Sequence, residues 1–287
     1  MKISKKKSDI YLSDIENFNI EDILECGQCF RFHKLGDKKY VIIAHKRELT
    51  ITQTDEFIIF HDTAKKDFEN IWFDYFDLNT DYKKISSILS ENDSVLKEAI
   101  NFAKGTRILR QEPFECLISF IISQNNRIPM IKTVVNNISE KFGEKIENYY
   151  TFPSIEELKN ATVEELNECK TGFRSGYIRD AVSKISAGEL SLCDIEKLSY
   201  ADLKTELMKI KGVGEKVSDC VALFAYAKLD AFPIDVWVKR ITEHFYFDGK
   251  DTAKDKIEVF ANEKFGEYSG YAQQYLFHYA RMKQIGK

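Results

Sequence analysis

Apolar and polar positions along this chain follow two periods, and the change of period divides it. In Lys39-Tyr-Val-Ile-Ile-Ala44, Glu48-Leu-Thr-Ile-Thr-Gln53 and Phe57-Ile-Ile-Phe60, β-branched and aromatic residues recur between turn signals such as Leu35-Gly-Asp37. Residues 17–62 therefore predict an antiparallel sheet. From about residue 80 the apolar positions take up a helical period. Phe114 to Phe120 opens a core helix, Ile128 to Phe142 a second, and Ile155 to Glu168 and Gly176 to Ile185 continue the series. The connections are short, with no internal repeat or low-complexity segment. The expected class is α+β. An N-terminal β-rich domain over 1–98 precedes an all-helical domain over 99–287, the latter in two parts with a cleft between them.

One interruption of the helical period stands apart. Leu203, Leu207, Met208 and Ile210 form an apolar stripe, Gly212-Val213-Gly214 breaks it, and Val217, Cys220, Val221, Phe224 and Ala225 resume it. Glycine permits positive φ and close approach of the backbone to another molecule. The second helix starts just past the turn, so its free N–H groups form an anion site without side-chain charge. Gly212 and Gly214 alone fit an ordinary helix–turn–helix connection better than an anion site, since short glycine turns are common. Lys216 changes that balance. A cation in the first helical turn is unfavourable against the dipole, which favours the neutral, nucleophilic amine. Nineteen residues on, Pro233-Ile234-Asp235 precedes Val236, Trp237, Val238 and Ile241, a helix start with Asp235 as N-cap. Lysine and capping aspartate at this spacing after a glycine hairpin are far more specific than either alone.

Composition adds constraints without finding this feature. The 287 residues carry a net charge of −4, so any nucleic-acid surface is local. Lys209, Lys211, Arg127, Arg174, Arg179, Lys239 and Arg240 lie near the motif segments. No apolar run reaches a membrane span, and the start, MKISKKKSDIYL, lacks the apolar stretch of a signal peptide. Six cysteines at irregular spacing predict reduced thiols. Cys26-Gly-Gln-Cys29 has no second CxxC to complete a zinc site.

The segment 207–235 resembles the helix-hairpin-helix glycosylases with a Gly/Pro-Asp motif, and among them the 8-oxoguanine DNA glycosylases. Four further stretches share the resemblance: Gly27-Gln-Cys-Phe-Arg31-Phe; Gln111-Glu-Pro-Phe-Glu-Cys116 with Ser123-Gln-Asn125-Asn126; Gly172-Phe173-Arg174; and Tyr271-Ala-Gln273-Gln-Tyr-Leu-Phe277. It implies a glycosylase and lyase acting on duplex DNA that contains 8-oxoguanine. Lys216 would attack C1′ of a flipped nucleotide, with Asp235 assisting. Gly27 would offer its carbonyl to the lesion's N7–H. Gln273 would address the Watson–Crick edge, Cys220 and Phe277 would sandwich the purine, and Phe224, Pro233 and Trp237 would complete the pocket. Asn125 and Phe173 would fill the gap in the duplex, and Arg174 would contact the widowed base. Without the resemblance, Cys220 and Phe277 read as core residues, and Phe173 is as well explained by a core as by a wedge.

The chain departs from the eukaryotic pattern at two places. Met130 stands where those enzymes carry a second arginine for the opposite cytosine, and Trp237 replaces a histidine two residues after the aspartate. No cysteine follows Cys220, so no iron–sulfur cluster is expected, nor a zinc ion or other catalytic metal. The hairpin carbonyls leave room for a monovalent cation. The resemblance further implies a monomer in a bacterial or archaeal cytoplasm. Two other readings remain: a glycosylase of the same superfamily for another damaged purine, and a noncatalytic DNA-damage binding module.

Overall fold

The computed structural model describes residues 1–285. Six strands form one antiparallel sheet: β1 (Lys2–Lys6), β2 (Asp9–Ser13), β3 (Phe32–Gly36), β4 (Lys39–Ala44), β5 (Arg47–Gln53) and β6 (Ile58–Phe60), in the order β1-β2-β6-β5-β4-β3. The predicted β4, β5 and β6 are present. β4 and β5 pair from Lys39↔Thr52 to Ala44↔Arg47, so His45 and Lys46 alone make the turn. Both have positive φ (49° and 57°), the geometry that suits a two-residue hairpin. The sheet begins earlier than the expected residue 17. β1 is exposed along its whole length and has no buried alternation for a sequence pattern to register.

Ile10, Leu12, Tyr40, Ile42, Leu49, Ile51, Ile58 and Phe60 face one core, closed by the short helix Ile20–Glu25 and by Phe68, Trp72 and Phe76. Each such side chain contributes roughly 1.5–3 kcal/mol on burial, enough to fix which face of every strand turns inward. β4 is buried at five consecutive positions, Tyr40–Ala44, because its other face meets the helical region.

Ten longer helices follow: α1 (Tyr82–Ser90), α2 (Ser94–Phe102), α3 (Pro113–Ser123), α4 (Ile128–Phe142), α5 (Ser175–Ser186), α6 (Tyr200–Leu207), α7 (Glu215–Tyr226), α8 (Val236–Tyr246), α9 (Lys254–Phe265) and α10 (Ser269–Lys283). They share a second core, to which α1 and α2 contribute Tyr82, Ile85, Leu96, Ala99 and Ile100. The boundary expected between 98 and 99 thus falls inside α2, whose buried face belongs to the helical core. The expected helix over 155–168 is two short ones, Ile155–Leu158 and Val163–Glu168. Ser154 and Thr162 each close a capping box, with Glu157 and Glu165, and the second cap starts a new helix where the pattern alone predicts continuation.

α3, buried along most of its length, packs on α7, and α10 packs on α2 and α8. Residues from the loop before β3, from α3, α7 and α10, and from the turn before α8 converge on one cleft.

Candidate active site

Gly212 has φ +80°, and a β-carbon there would lie 2.3 Å from the Tyr177 ring on α5. Glycine is therefore required for both conformation and space, and the hairpin seats directly on α5. Gly214 is the N-cap of α7, and no side chain caps that terminus. Its first-turn N–H groups remain directed out of the hairpin, as an anion site needs.

Lys216, one turn into α7, extends across the cleft to α3. Its Nζ donates to Ser123 Oγ at 3.0 Å and stands 5.0 Å from the centre of the Phe120 ring. Ser123 gives its own proton to Phe120 O at 2.7 Å, so it meets the amine as an acceptor. Asp235 caps α8 through Oδ1 alone, accepting from Trp237 N at 2.9 Å and Val238 N at 2.8 Å. Oδ2 stays available to the cleft that both residues line. Burial raises the Asp235 pKa, opposed by the Val238 N–H, the Lys216 charge and the Trp237 N–H. Burial pushes the Cys220 thiol up to about 12, so it is neutral beside the amine.

Gly27, Phe120, Lys216, Cys220, Phe224, Pro233, Asp235, Gln273, Gln274 and Phe277 enclose a small inner cavity of about 50 Å³. Gln273, 4% exposed, donates from Nε2 to Pro233 O at 3.2 Å, and its Oε1 is buried with no partner. An orphaned acceptor in a dry pocket costs roughly 1–3 kcal/mol until a donor arrives. Phe224 stacks on Phe120 with ring centres 5.4 Å apart. Phe277 also borders an outer cavity of about 450 Å³, shared with Ser123, Asn126, Ile128, Trp237 and Arg281. Trp237 thus sits at the mouth rather than among the inner lining.

Gly27 is held by residues to which the sequence reading gave no role. Its φ is +87°, and an added β-carbon would press on Phe277, Arg281 and Ile128 at 3.1–3.2 Å. Its neighbour Gln28, fully buried, donates from Nε2 to Ile23 O (2.9 Å) and Arg107 O (2.7 Å) and accepts from Leu109 N (2.9 Å). Gln111 donates from Nε2 to Gln28 O at 2.7 Å and from its backbone N–H to Phe224 O at 2.8 Å. A continuous relay therefore ties the Gly27 loop of the β region to the helix carrying Lys216. Buried polar side chains flanking a glycine in an apolar segment were the only available sequence signal.

Asn125 (φ +48°), Met130 and Phe173 form an exposed rim beside the cleft; Phe173 is 58% and Met130 46% exposed. Phe173 is therefore no core aromatic. Arg174 is 8% exposed, donating to Gln124 O from Nε (2.9 Å) and Nη2, to Asn125 O (3.0 Å) and to Thr171 O (3.2 Å). It braces the Asn125 loop and lies 4.3 Å from the Phe173 ring centre. Of the other basic residues near the motifs, Lys209 pairs with Glu206, Lys239 with Glu243 and Asp251, and Arg179 donates to Lys159 O. Arg127, Lys211 and Arg240 make no ion pair among the described residues.

Residues 118–267 match the HhH-GPD superfamily of base excision DNA repair proteins, and residues 10–117 match the N-terminal domain of 8-oxoguanine DNA glycosylase. The chain belongs to the HhH-GPD superfamily. A solved 8-oxoguanine glycosylase/lyase of Clostridium acetobutylicum, in complex with double-stranded DNA containing cytosine opposite 8-oxoguanine, is 44% identical, with 99% of each chain covered and a TM-score of 0.96. A probable N-glycosylase/DNA lyase of Methanothermobacter thermautotrophicus is 32% identical over 230 residues, 72% of each chain. An N-glycosylase/DNA lyase of Arabidopsis thaliana is 30% identical over 272 residues, 88% of this chain and 74% of that one.

This HhH-GPD protein has no group of three histidine, cysteine or carboxylate side chains able to hold a metal among its described residues. None of its described helices is long and apolar enough to cross a membrane. An amine and a carboxylate facing one cleft, next to a pocket with an unpaired acceptor, can attack a sugar carbon while a held base departs.

Proposed function

We propose that this protein is a bifunctional DNA glycosylase and lyase that removes 8-oxoguanine from duplex DNA. The observation that carries the reading is the shared cleft of Lys216 and Asp235 beside the orphaned Gln273 Oε1. The relatives, named as glycosylase/lyases, agree with it.

Neither Lys216 nor the pocket reaches a base inside a duplex, so the nucleotide is flipped out. Exposed Phe173 and Asn125 fill the gap. Guanine N7 is an acceptor, whereas 8-oxoguanine bears a hydrogen there. A carbonyl on the rigid Gly27 loop binds that hydrogen and repels guanine's lone pair. A site built to hydrogen-bond its ligand discriminates by roughly 10⁴-fold. Gln273 Oε1 accepts from the base's ring and amino N–H groups. Phe277 and Cys220 take its two faces, Cys220 as a neutral thiol.

As the C1′–N9 bond breaks, its electrons leave with the base and the sugar becomes cationic. Ionised Asp235 stabilises that cation. The Lys216 lone pair forms a bond to C1′, and loss of its proton with ring opening gives a Schiff base. Removal of a C2′ proton then expels the 3′ phosphate by β-elimination. The chemistry uses no metal or redox cofactor; a monovalent cation at the hairpin would serve DNA binding only. The setting we propose is the cytoplasm of a bacterium or archaeon, with the protein acting as a monomer on nucleoid DNA.

Borohydride reduction tests the reading. A covalent adduct with an 8-oxoguanine duplex is expected, with none on a matched guanine duplex. Strong trapping on duplexes with other damaged purines and none on 8-oxoguanine would assign another substrate, and binding without trapping would make it a damage sensor.

A further inference from the structure

Arg281, near the end of α10, is a half-buried cation with no carboxylate within ion-pair distance among the described residues. Its Nη2 donates to Glu25 O, and its guanidinium lies 5.5 Å from the centre of the Phe277 ring. Nε and Nη1 have no protein acceptor among the described residues. The side chain borders the outer cavity together with Lys216, Asp235, Trp237 and Phe277. Nη1 lies beside Gly27, 3.2 Å from where a β-carbon on that residue would stand. The fork is thus fixed on one side by a backbone carbonyl and an aromatic face, and open on the side facing the cleft. Burial lowers its pKa, against the attraction of Cys26, Glu25 and Asp235.

A planar guanidinium held in place with N–H donors left free matches a tetrahedral oxyanion. A nucleotide whose sugar reaches Lys216 must carry a phosphate on each side through the mouth of the cleft. We infer that Arg281 clamps a backbone phosphate flanking the extruded nucleotide, through the N–H donors that Glu25 O leaves free, and so holds C1′ in line with Lys216. Trp237 at the same mouth offers no cation, and Arg281 supplies one from the terminal helix. The inference rests on the base-flipping reading above, and the choice of probe keeps the two separable.

The probe is a duplex with a tetrahydrofuran abasic analogue, which can be extruded but offers no base to recognise or excise. Binding is measured with normal phosphates and with a single uncharged methylphosphonate on the 5′ or the 3′ side of the analogue. The unmodified protein is expected to lose about tenfold in affinity with one of the two, the low end for a charge-assisted hydrogen bond. Arg281→Gln is expected to lose about tenfold on the normal duplex and to become indifferent to that same methylphosphonate. Its log–log salt slope should fall by about 0.9, one phosphate. Arg281→Lys should keep the slope and part of the affinity. The comparison within each variant cancels any loss of folded protein. Undiminished sensitivity of Arg281→Gln to both methylphosphonates would overturn the assignment and leave Arg281 a brace for Phe277 and Gly27. If borohydride trapping on 8-oxoguanine fails while this cycle holds, the substrate reading falls and the phosphate clamp stands.

Discussion

Lys216 and Asp235 reach the cleft from opposite ends of their helices' logic: the lysine sits where the α7 dipole disfavours a cation, and the aspartate sits where the α8 dipole welcomes an anion. Glutamine at 216 keeps length and polarity but has no nucleophilic amine. Lys216→Gln should retain lesion binding, lose borohydride trapping, and slow single-turnover excision by about 10³-fold or more. Near-normal excision would remove Lys216 from the chemistry. Asn is as good an N-cap as Asp, so Asp235→Asn should move the melting temperature little while excision drops about 10²–10³-fold. A large fall in melting temperature with intact turnover would reduce Asp235 to a cap. Asp235 must be ionised to act, and its pKa is raised in the fold. The rate should therefore fall as pH drops through a value above the ordinary aspartate pKa of about 3.9. That acid limb should vanish in Asp235→Asn; a limb at or below the ordinary value would mean that some other group sets it.

At the scale of elements, the hairpin is only as well placed as the helices that carry it. Asp219 on α7 accepts from Tyr200 Oη at 2.7 Å and from Lys204 Nζ at 3.0 Å, and Lys204 also reaches Glu258 on α9 at 3.1 Å. The Asp219 and Lys204 side chains are 6% and 14% exposed, so removing one partner strands a buried charge. Lys204→Met should cost about 3 kcal/mol in urea unfolding. A cost below about 1 kcal/mol would mean that the carboxylate escapes to water. The hairpin itself allows no side chain at 212. Gly212→Ala adds left-handed strain, roughly 1–2 kcal/mol, and a collision with Tyr177. It should weaken binding to undamaged and damaged duplexes alike, and selective loss on damaged DNA would place the hairpin in base recognition instead.

Across the whole molecule, the exposed rim of Asn125, Met130 and Phe173 carries a thioether at 130 where a reader of cytosine would carry a cation. Met130 is exposed and makes no charge-assisted contact, and Arg174 spends its donors on backbone carbonyls. One bidentate base contact is worth about 1–3 kcal/mol, a factor of about 5 to 150. Its absence should leave excision of 8-oxoguanine only modestly dependent on whether cytosine, adenine, guanine or thymine stands opposite. Single-turnover rates on the four duplexes, for the unmodified protein and Met130→Arg, measure this. Strong cytosine preference in the unmodified protein would mean that other residues read the partner base.

The sequence by itself determined the elements whose causes are local. The β4–β5 hairpin follows from β-branched alternation, the hairpin turn from two glycines around a helical stripe, and the α8 start from Pro-Ile-Asp. It also singled out Lys216 and Asp235, because a lysine and a capping aspartate at that spacing after a glycine hairpin are more specific than either alone. Tertiary structure decided what depends on distant neighbours. β1 shows no buried pattern and exists because β2 offers it an edge. The break at Asn160–Thr162 comes from a second capping box competing with continuation of the helix. Lys216 meets Ser123 across 93 residues of chain, and Gln28 reaches Arg107 and Leu109 across about 80. No periodicity encodes such contacts. Arg174, expected to contact the widowed base, gives donors to backbone carbonyls, and Arg281, to which the sequence reading gave no role, lines the mouth of the cleft. Which donors a guanidinium has left over is settled only when the fold has placed every acceptor around it.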